Sequence, residues 1–155
     1  MLIYLVHLTG TGFRVRSSLG FWWLLASMAL LLVQVLLGTQ VREAIDQIST
    51  SAPRENWISG VSDTFSIHRS FSWIVLLVHV GLIIRLRQTQ GLKIFPLTLI
   101  LLILSTILSG AGMAYFGVPP FLQPIHLLLA TVTFGLQFLL LLKLNRKEEL
   151  QFSTR

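Results

Sequence analysis

Four stretches of the chain, 20–41, 64–86, 94–116 and 120–143, run apolar for their whole length, and the charged positions gather between and beyond them. A helix rises about 1.5 Å per residue, so about 20 residues cross a hydrocarbon core of about 30 Å. All four stretches reach that length. The pattern therefore predicts an all-α, polytopic membrane four-helix bundle running up-down-up-down across a lipid bilayer.

The charges between the stretches orient it. Arg14 and Arg16 precede the first span, Arg85, Arg87 and Lys93 fill the link after the second, and Lys143, Arg146 and Lys147 follow the fourth. Basic residues beside spans face the cytoplasm, which places both termini there, in an inner or cell membrane. The connection 42–63 sets two arginines against the four carboxylates of Glu43, Asp46, Glu55 and Asp63, and belongs outside with the tight turn Gly117–Pro120. At roughly 22 residues that outer connection exceeds the usual two to eight between bundle helices. Length of that kind accompanies function or poor order.

The second and fourth helices then both start at the outer surface. Ser62, Asp63 and Thr64 are expected to cap the second, and Pro119 and Pro120 to occupy the first turn of the fourth. Trp22 and Trp23 mark the inner end of the first span, where an indole keeps its N–H near water. Residues 1–19 are read as a cytoplasmic segment or the stump of a preceding helix, because Met1–Leu8 is apolar yet too short to span and lacks a cleavable signal's basic start. Residues 20–143 form the transmembrane domain and 144–155 a basic cytoplasmic tail. No internal repeat is evident beyond the four-span layout.

Composition narrows the chemistry. The 155 residues have a mean hydropathy of +0.77, 12% charged residues, a formal charge of +6 and no cysteine. Disulfides and Fe–S clusters are excluded, and a bound metal would use His, carboxylate or main-chain ligands. The positive charge is that of cytoplasmic loops, so no nucleic-acid partner is expected.

His68 and His126 lie five or six residues into the second and fourth spans, at matched depth near the outer face. A polar side chain in hydrocarbon is costly unless it faces the bundle interior and finds a partner. One such histidine is explained by a bond to another helix. Two at one depth can supply both axial ligands of a haem iron. Zinc fits less well, since it takes three or four protein ligands. His79 and Gln137 follow His68 and His126 by eleven residues, about three turns plus 20°, so they repeat the same faces about 16 Å deeper. Glutamine is a poor iron ligand, and a His79–Gln137 hydrogen bond between helices is the expectation there.

Arg69, beside His68, and Arg42, at the top of the first span, are candidates to pair with haem propionates, since a guanidinium matches a carboxylate at two points. Snorkelling to headgroups is the other role for Arg42, whereas a buried anionic partner is expected for Arg69. The run Ser105, Ser109, Gly110, Ala111, Gly112, Ala114 lets another backbone or a flat macrocycle approach. Gln34, Thr39 and Gln40 give the first helix a polar outer half, and Pro124 lies two residues before His126.

The run Leu37-Gly38-Thr39-Gln40-Val41-Arg42, the pair His68-Arg69 and the triplet Pro124-Ile125-His126 together resemble the heme A synthase family over residues 20–143. Members of that family look like two tandem four-helix halves, each with a histidine on its second and fourth helices. The resemblance implies that His68 and His126 are axial ligands of a haem b near the outer face. It also implies an oxidoreductase that converts a methyl of haem O to the formyl of haem A for cytochrome oxidase assembly. The first half of the family carries a glutamate three residues before its His-Arg pair, and here that position is Phe65. The chain thus resembles the C-terminal, cofactor-holding half, and its expected partner is a preceding half or a second copy of itself, with no catalytic residue assigned to this chain alone. A bis-histidine b-type cytochrome subunit for membrane electron transfer is the alternative, and a packing or assembly subunit without haem a third.

Overall fold

The computed structural model describes residues 19–87 and 94–153. The Met1–Leu8 segment, Arg14, Arg16 and Lys93 lie outside the described residues. Helix α1 spans Leu19–Ile48, a 3-10 turn covers Arg54–Asn56, and α2 is the single turn Trp57–Gly60. Helices α3 (Ser62–Leu86), α4 (Ile94–Tyr115) and α5 (Leu122–Ser153) follow, and no strand occurs among the described residues. Windows within α1, α3, α4 and α5 are long and apolar enough to cross a membrane, so the protein is a multi-pass helical membrane bundle.

Two helices outrun their apolar stretches. Past Arg42, α1 continues because Val41, Ala44, Ile45 and Ile48 keep one apolar face at helical spacing while Glu43, Asp46 and Gln47 lie outside it. Arg42 and Asp46 pair across one turn at 2.6 Å. Helix α5 runs to Ser153 since 144–153 holds neither glycine nor proline to stop it. Most of the long outer connection is therefore ordered structure. Val41 and Ile45 of α1 join Val61 and Val118 in a small buried core, with Trp57, Ile58 and Phe65 packed against it, and this cap closes the loop end of the bundle.

The expected capping differs. Val61 precedes α3 and no side chain caps it, since α2 feeds directly into α3 and the Phe65 N–H bonds the Val61 carbonyl. Pro119 and Pro120 stand just before α5, which opens at Leu122 with its N–H on the Pro119 carbonyl. Between α4 and α5 the backbone turns through positive φ at both Gly117 (65°) and Val118 (54°). A branched residue there is strained. Val118 is held in place by burial (3% exposed) and by its N–H on the Met113 carbonyl.

Packing runs round a ring in which α1 meets α3, α3 meets α4, α4 meets α5 and α5 meets α1. Helices α3 and α5, the two histidine bearers, are thus diagonal. Phe21, Leu24, Leu82, Leu86, Leu99 and Leu140 lead the apolar core at the tail end. Outward positions such as Trp73, Leu77 and Leu108 are exposed and apolar, as a lipid-facing surface requires. Trp22 is half exposed near the start of α1, and Trp23 lays its ring against Gly81 of α3.

Candidate functional site

Counted from Ser62 and from Leu122, His68 is the seventh residue of α3 and His126 the fifth of α5. They reach similar depth on diagonal helices, below the cap and above the tail-end core.

A glycine stands behind each ring. A Cβ added to Gly38 of α1 would lie 3.2 Å from His68 Cε1, and one on Gly110 of α4 would lie 3.1 Å from His126 Cε1. The residue four before each glycine also touches the histidine. Gln34 Nε2 lies 3.5 Å from His68 Nε2 and donates to the His68 carbonyl at 3.2 Å, while the Thr106 carbonyl lies 3.0 Å from His126 Nδ1. The antiparallel pairs α1/α3 and α4/α5 therefore build the same seat twice. That is an internal repeat, which sequence reading missed because it shares spacing rather than residue identity.

The two rings are held differently. A carbonyl can only accept, so the Thr106 oxygen places a proton on His126 Nδ1, with Ser109 Oγ 2.9 Å from the same nitrogen. Nε2 is then the lone-pair atom, free to ligate. At His68 the amide N–H of Gln34 points to Nε2, which leaves the proton on Nδ1, and Nδ1 is buried without a partner. Gln34 Oε1 is buried without a partner as well. One donor and one acceptor of this pair of side chains are thus left stranded.

About 16 Å deeper the diagonal is closed by protein alone. His79, Gln137 and Ser27 are each 0% exposed. Gln137 Nε2 donates to His79 Nε2 at 2.9 Å and to Ser27 Oγ at 2.8 Å, His79 Nδ1 donates to the Val75 carbonyl at 2.7 Å, and Ser27 donates to the Leu24 carbonyl. The hydrogen bond expected between His79 and Gln137 is present. Ser27 is the partner that sequence reading did not find.

The arginines divide. Arg42 is exposed at the loop end and binds both Asp46 and Gln123 of α5. Arg69 is exposed, about 100° round the helix from His68, and no carboxylate among the described residues pairs with it. The buried anionic partner expected for Arg69 is not found among the described residues. Of the polar residues on α1, Gln34 faces the site, whereas Thr39 bonds its own helix at the Leu36 carbonyl and Gln40 is exposed.

The donor set is two imidazoles across a ring, flanked by glycines, with stranded polar atoms between helices. Among the described residues there is no group of three or more His, Cys, Asp or Glu side chains placed to hold a metal ion. A flat group that brings its own equatorial ligands and needs only two axial ones fits this set. The family model described as cytochrome oxidase assembly protein, COX15-CtaA, matches residues 13–138. The chain belongs to that family. It is the heme A synthase family, which the motifs resembled. No curated protein and no solved structure matches the chain. The three motifs of the family resemblance, 37–42, 68–69 and 124–126, all fall inside the matched region, and each gives one residue, Gly38, His68 and His126, to this layer. Phe65, at the position that the resemblance gives to a glutamate, packs into the cap beside Val41, Ile45, Val61 and Val118.

Proposed function

We propose that the chain is the cofactor-holding half of a heme A synthase-type enzyme, with His68 and His126 as axial ligands of a haem b. The observation that carries this reading is the repeated seat: two imidazoles at one depth on diagonal helices, each backed by a glycine. Family membership supports it, because cytochrome oxidase assembly is the business of the family. When bound, the haem iron would supply one-electron chemistry, and the residues here would set its ligation and exclude water through the cap and the apolar core. Arg42, at the loop end and joined to α5 through Gln123, is the proposed propionate partner. Arg69 is a secondary candidate, reachable from outside the bundle.

With Phe65 in the cap, position 65 offers no carboxylate to take a proton. The oxidation of a haem O methyl is therefore assigned to a preceding four-helix half; a second copy of the chain repeats Phe65 and would serve as an assembly partner without supplying that carboxylate. The charge pattern orients the haem toward the outer face, with both termini in the cytoplasm.

The test is spectroscopic. Full-length protein extracted in mild detergent is expected to show a Soret band of six-coordinate, low-spin haem, altered by His68→Ala and by His126→Ala. Co-expression with a haem O source, followed by chromatography, is expected to yield haem A only when an N-terminal half is supplied. Absence of a Soret band refutes the haem reading. Haem bound without haem A under either condition favours an electron-transfer cytochrome.

A further inference from the structure

Two ligands in one bundle need not be held alike, and these are not. The proton of His126 is fixed by a main-chain carbonyl inside α4, reinforced by Ser109, so its Nε2 is presented in one orientation. Among the described residues, the only side chain bonded to the His68 ring is a glutamine amide, which carries donors on one atom and an acceptor on the other. Its N–H now faces His68 Nε2, the atom that iron would take, and its Oε1 is stranded. The His68 Nδ1–H that would need an acceptor once Nε2 bound iron is stranded too.

We infer that the axial positions are unequal: His126 is the fixed ligand, His68 is the exchangeable one, and Gln34 is the positioning residue that holds His68 when it is released. Off the iron, the Gln34 N–H holds Nε2. On the iron that bond is lost and Nδ1–H still lacks an acceptor, since turning the amide over would set Oε1 beside Nε2 and not beside Nδ1. His126 keeps the Thr106 carbonyl on Nδ1 whether or not Nε2 is bound, and no donor among the described residues competes for that Nε2, so the α4 side releases its ligand at greater cost. The consequence is a coordination position that opens on the α1/α3 side, where a small diatomic or another axial donor can enter.

The inference rests on the haem reading above, and the spectrum of the unsubstituted protein tests that reading separately. A bis-histidine ferrous haem binds carbon monoxide only after one imidazole leaves, so the rate of the Soret shift on adding CO reports ligand release. In haem-loaded, detergent-solubilised full chain, Gln34→Leu removes the donor that holds the released ring and is expected to lower that rate about tenfold, the scale on which an outer partner of a metal-bound histidine acts. Ser109→Ala, which leaves the Thr106 carbonyl in place, is expected to change it by less than about twofold. His68→Gly is expected to keep its haem with a high-spin EPR signal and to bind CO at once, and His126→Gly to lose most of its haem unless imidazole is added. Equal haem retention in the two glycine variants, or an unchanged CO rate in Gln34→Leu, overturns the inference while the Soret band stands. A chain that lacks the Soret band altogether overturns both readings. If His126→Gly fails to fold, the Gln34→Leu rate decides.

Discussion

The deep triad gives the most quantitative test of the architecture. In lipid a hydrogen bond between helices is worth about 0.6 kcal/mol on average, and at most about 1.7. Gln137→Leu deletes two such bonds, to His79 and to Ser27, for about 1.2 kcal/mol. It also leaves His79 Nε2 as a buried acceptor without a donor, a further cost of about 1–3 kcal/mol. Against this, the stranded Gln137 Oε1 disappears, which returns about 1 kcal/mol. The net loss is about 1–3 kcal/mol. His79→Leu deletes one of these bonds and leaves Gln137 its bond to Ser27, for about 1 kcal/mol. The double substitution strands neither partner, so it should cost less than the sum of the two by about 1 kcal/mol. Reversible unfolding in mixed micelles with rising SDS measures each term, and the haem spectrum, set one layer away, should not move. Additivity within about 0.3 kcal/mol would show that the two side chains are not coupled, and the reasoning would fail.

Two further outcomes follow from the same structure. Gly110→Ala should lower haem retention more than Gly38→Ala, because a new methyl at 3.1 Å meets a ring pinned by Ser109 and Thr106, whereas at 3.2 Å it meets the less restrained His68; equal effects, read from the ratio of Soret to protein absorbance, would count against unequal seats. In the α4–α5 turn, Val118→Ala keeps the strain of a positive φ and gives up buried surface, for about 1–2 kcal/mol, while Val118→Gly gives up slightly more surface but relieves about 1–2 kcal/mol of strain. Glycine should therefore be at least as stable as alanine there, in the same unfolding assay, and a clearly less stable glycine variant would refute the strain.

The spans were legible because lipid imposes a strict rule: a crossing helix must be apolar for about 20 residues. The layer of His68 and His126 was legible because both positions are set by counting inward from loops on one side. What counting does not see is where a helix stops. Charge marked 42–63 as a connection outside the spans, yet Val41, Ala44, Ile45 and Ile48 carry α1 on as a helix whose apolar face completes the cap. Polarity sets where the membrane ends, and periodicity sets where the helix does. Gln34 stood in the polar outer half of α1 without an assigned partner, and its role appears only when α1 and α3 pack. Arg69 stands off the His68 face for a geometric reason, since adjacency in sequence means about 100° of separation on a helix.

The contrast between the two polar layers is the strongest argument for a missing component in one of them. On α3 a histidine occupies both levels, His68 and His79, eleven residues apart, and on α5 the corresponding residues are His126 and Gln137. At the deeper level an amide meets an imidazole, a donor faces an acceptor, Ser27 takes the second N–H, and a single carbonyl oxygen remains unpaired. At the upper level an imidazole stands where the amide was. With the proton of each neutral ring on Nδ1, His68 Nε2 has only the Gln34 N–H at 3.5 Å, and His126 Nε2 has no hydrogen bond among the described residues. Hydrocarbon makes such a shortfall more costly than water would. A group that accepts lone pairs from both sides turns the mismatch into two bonds. By that reasoning the single exchange of amide for imidazole on α5 separates a layer that locks the bundle from one that is shaped to be filled.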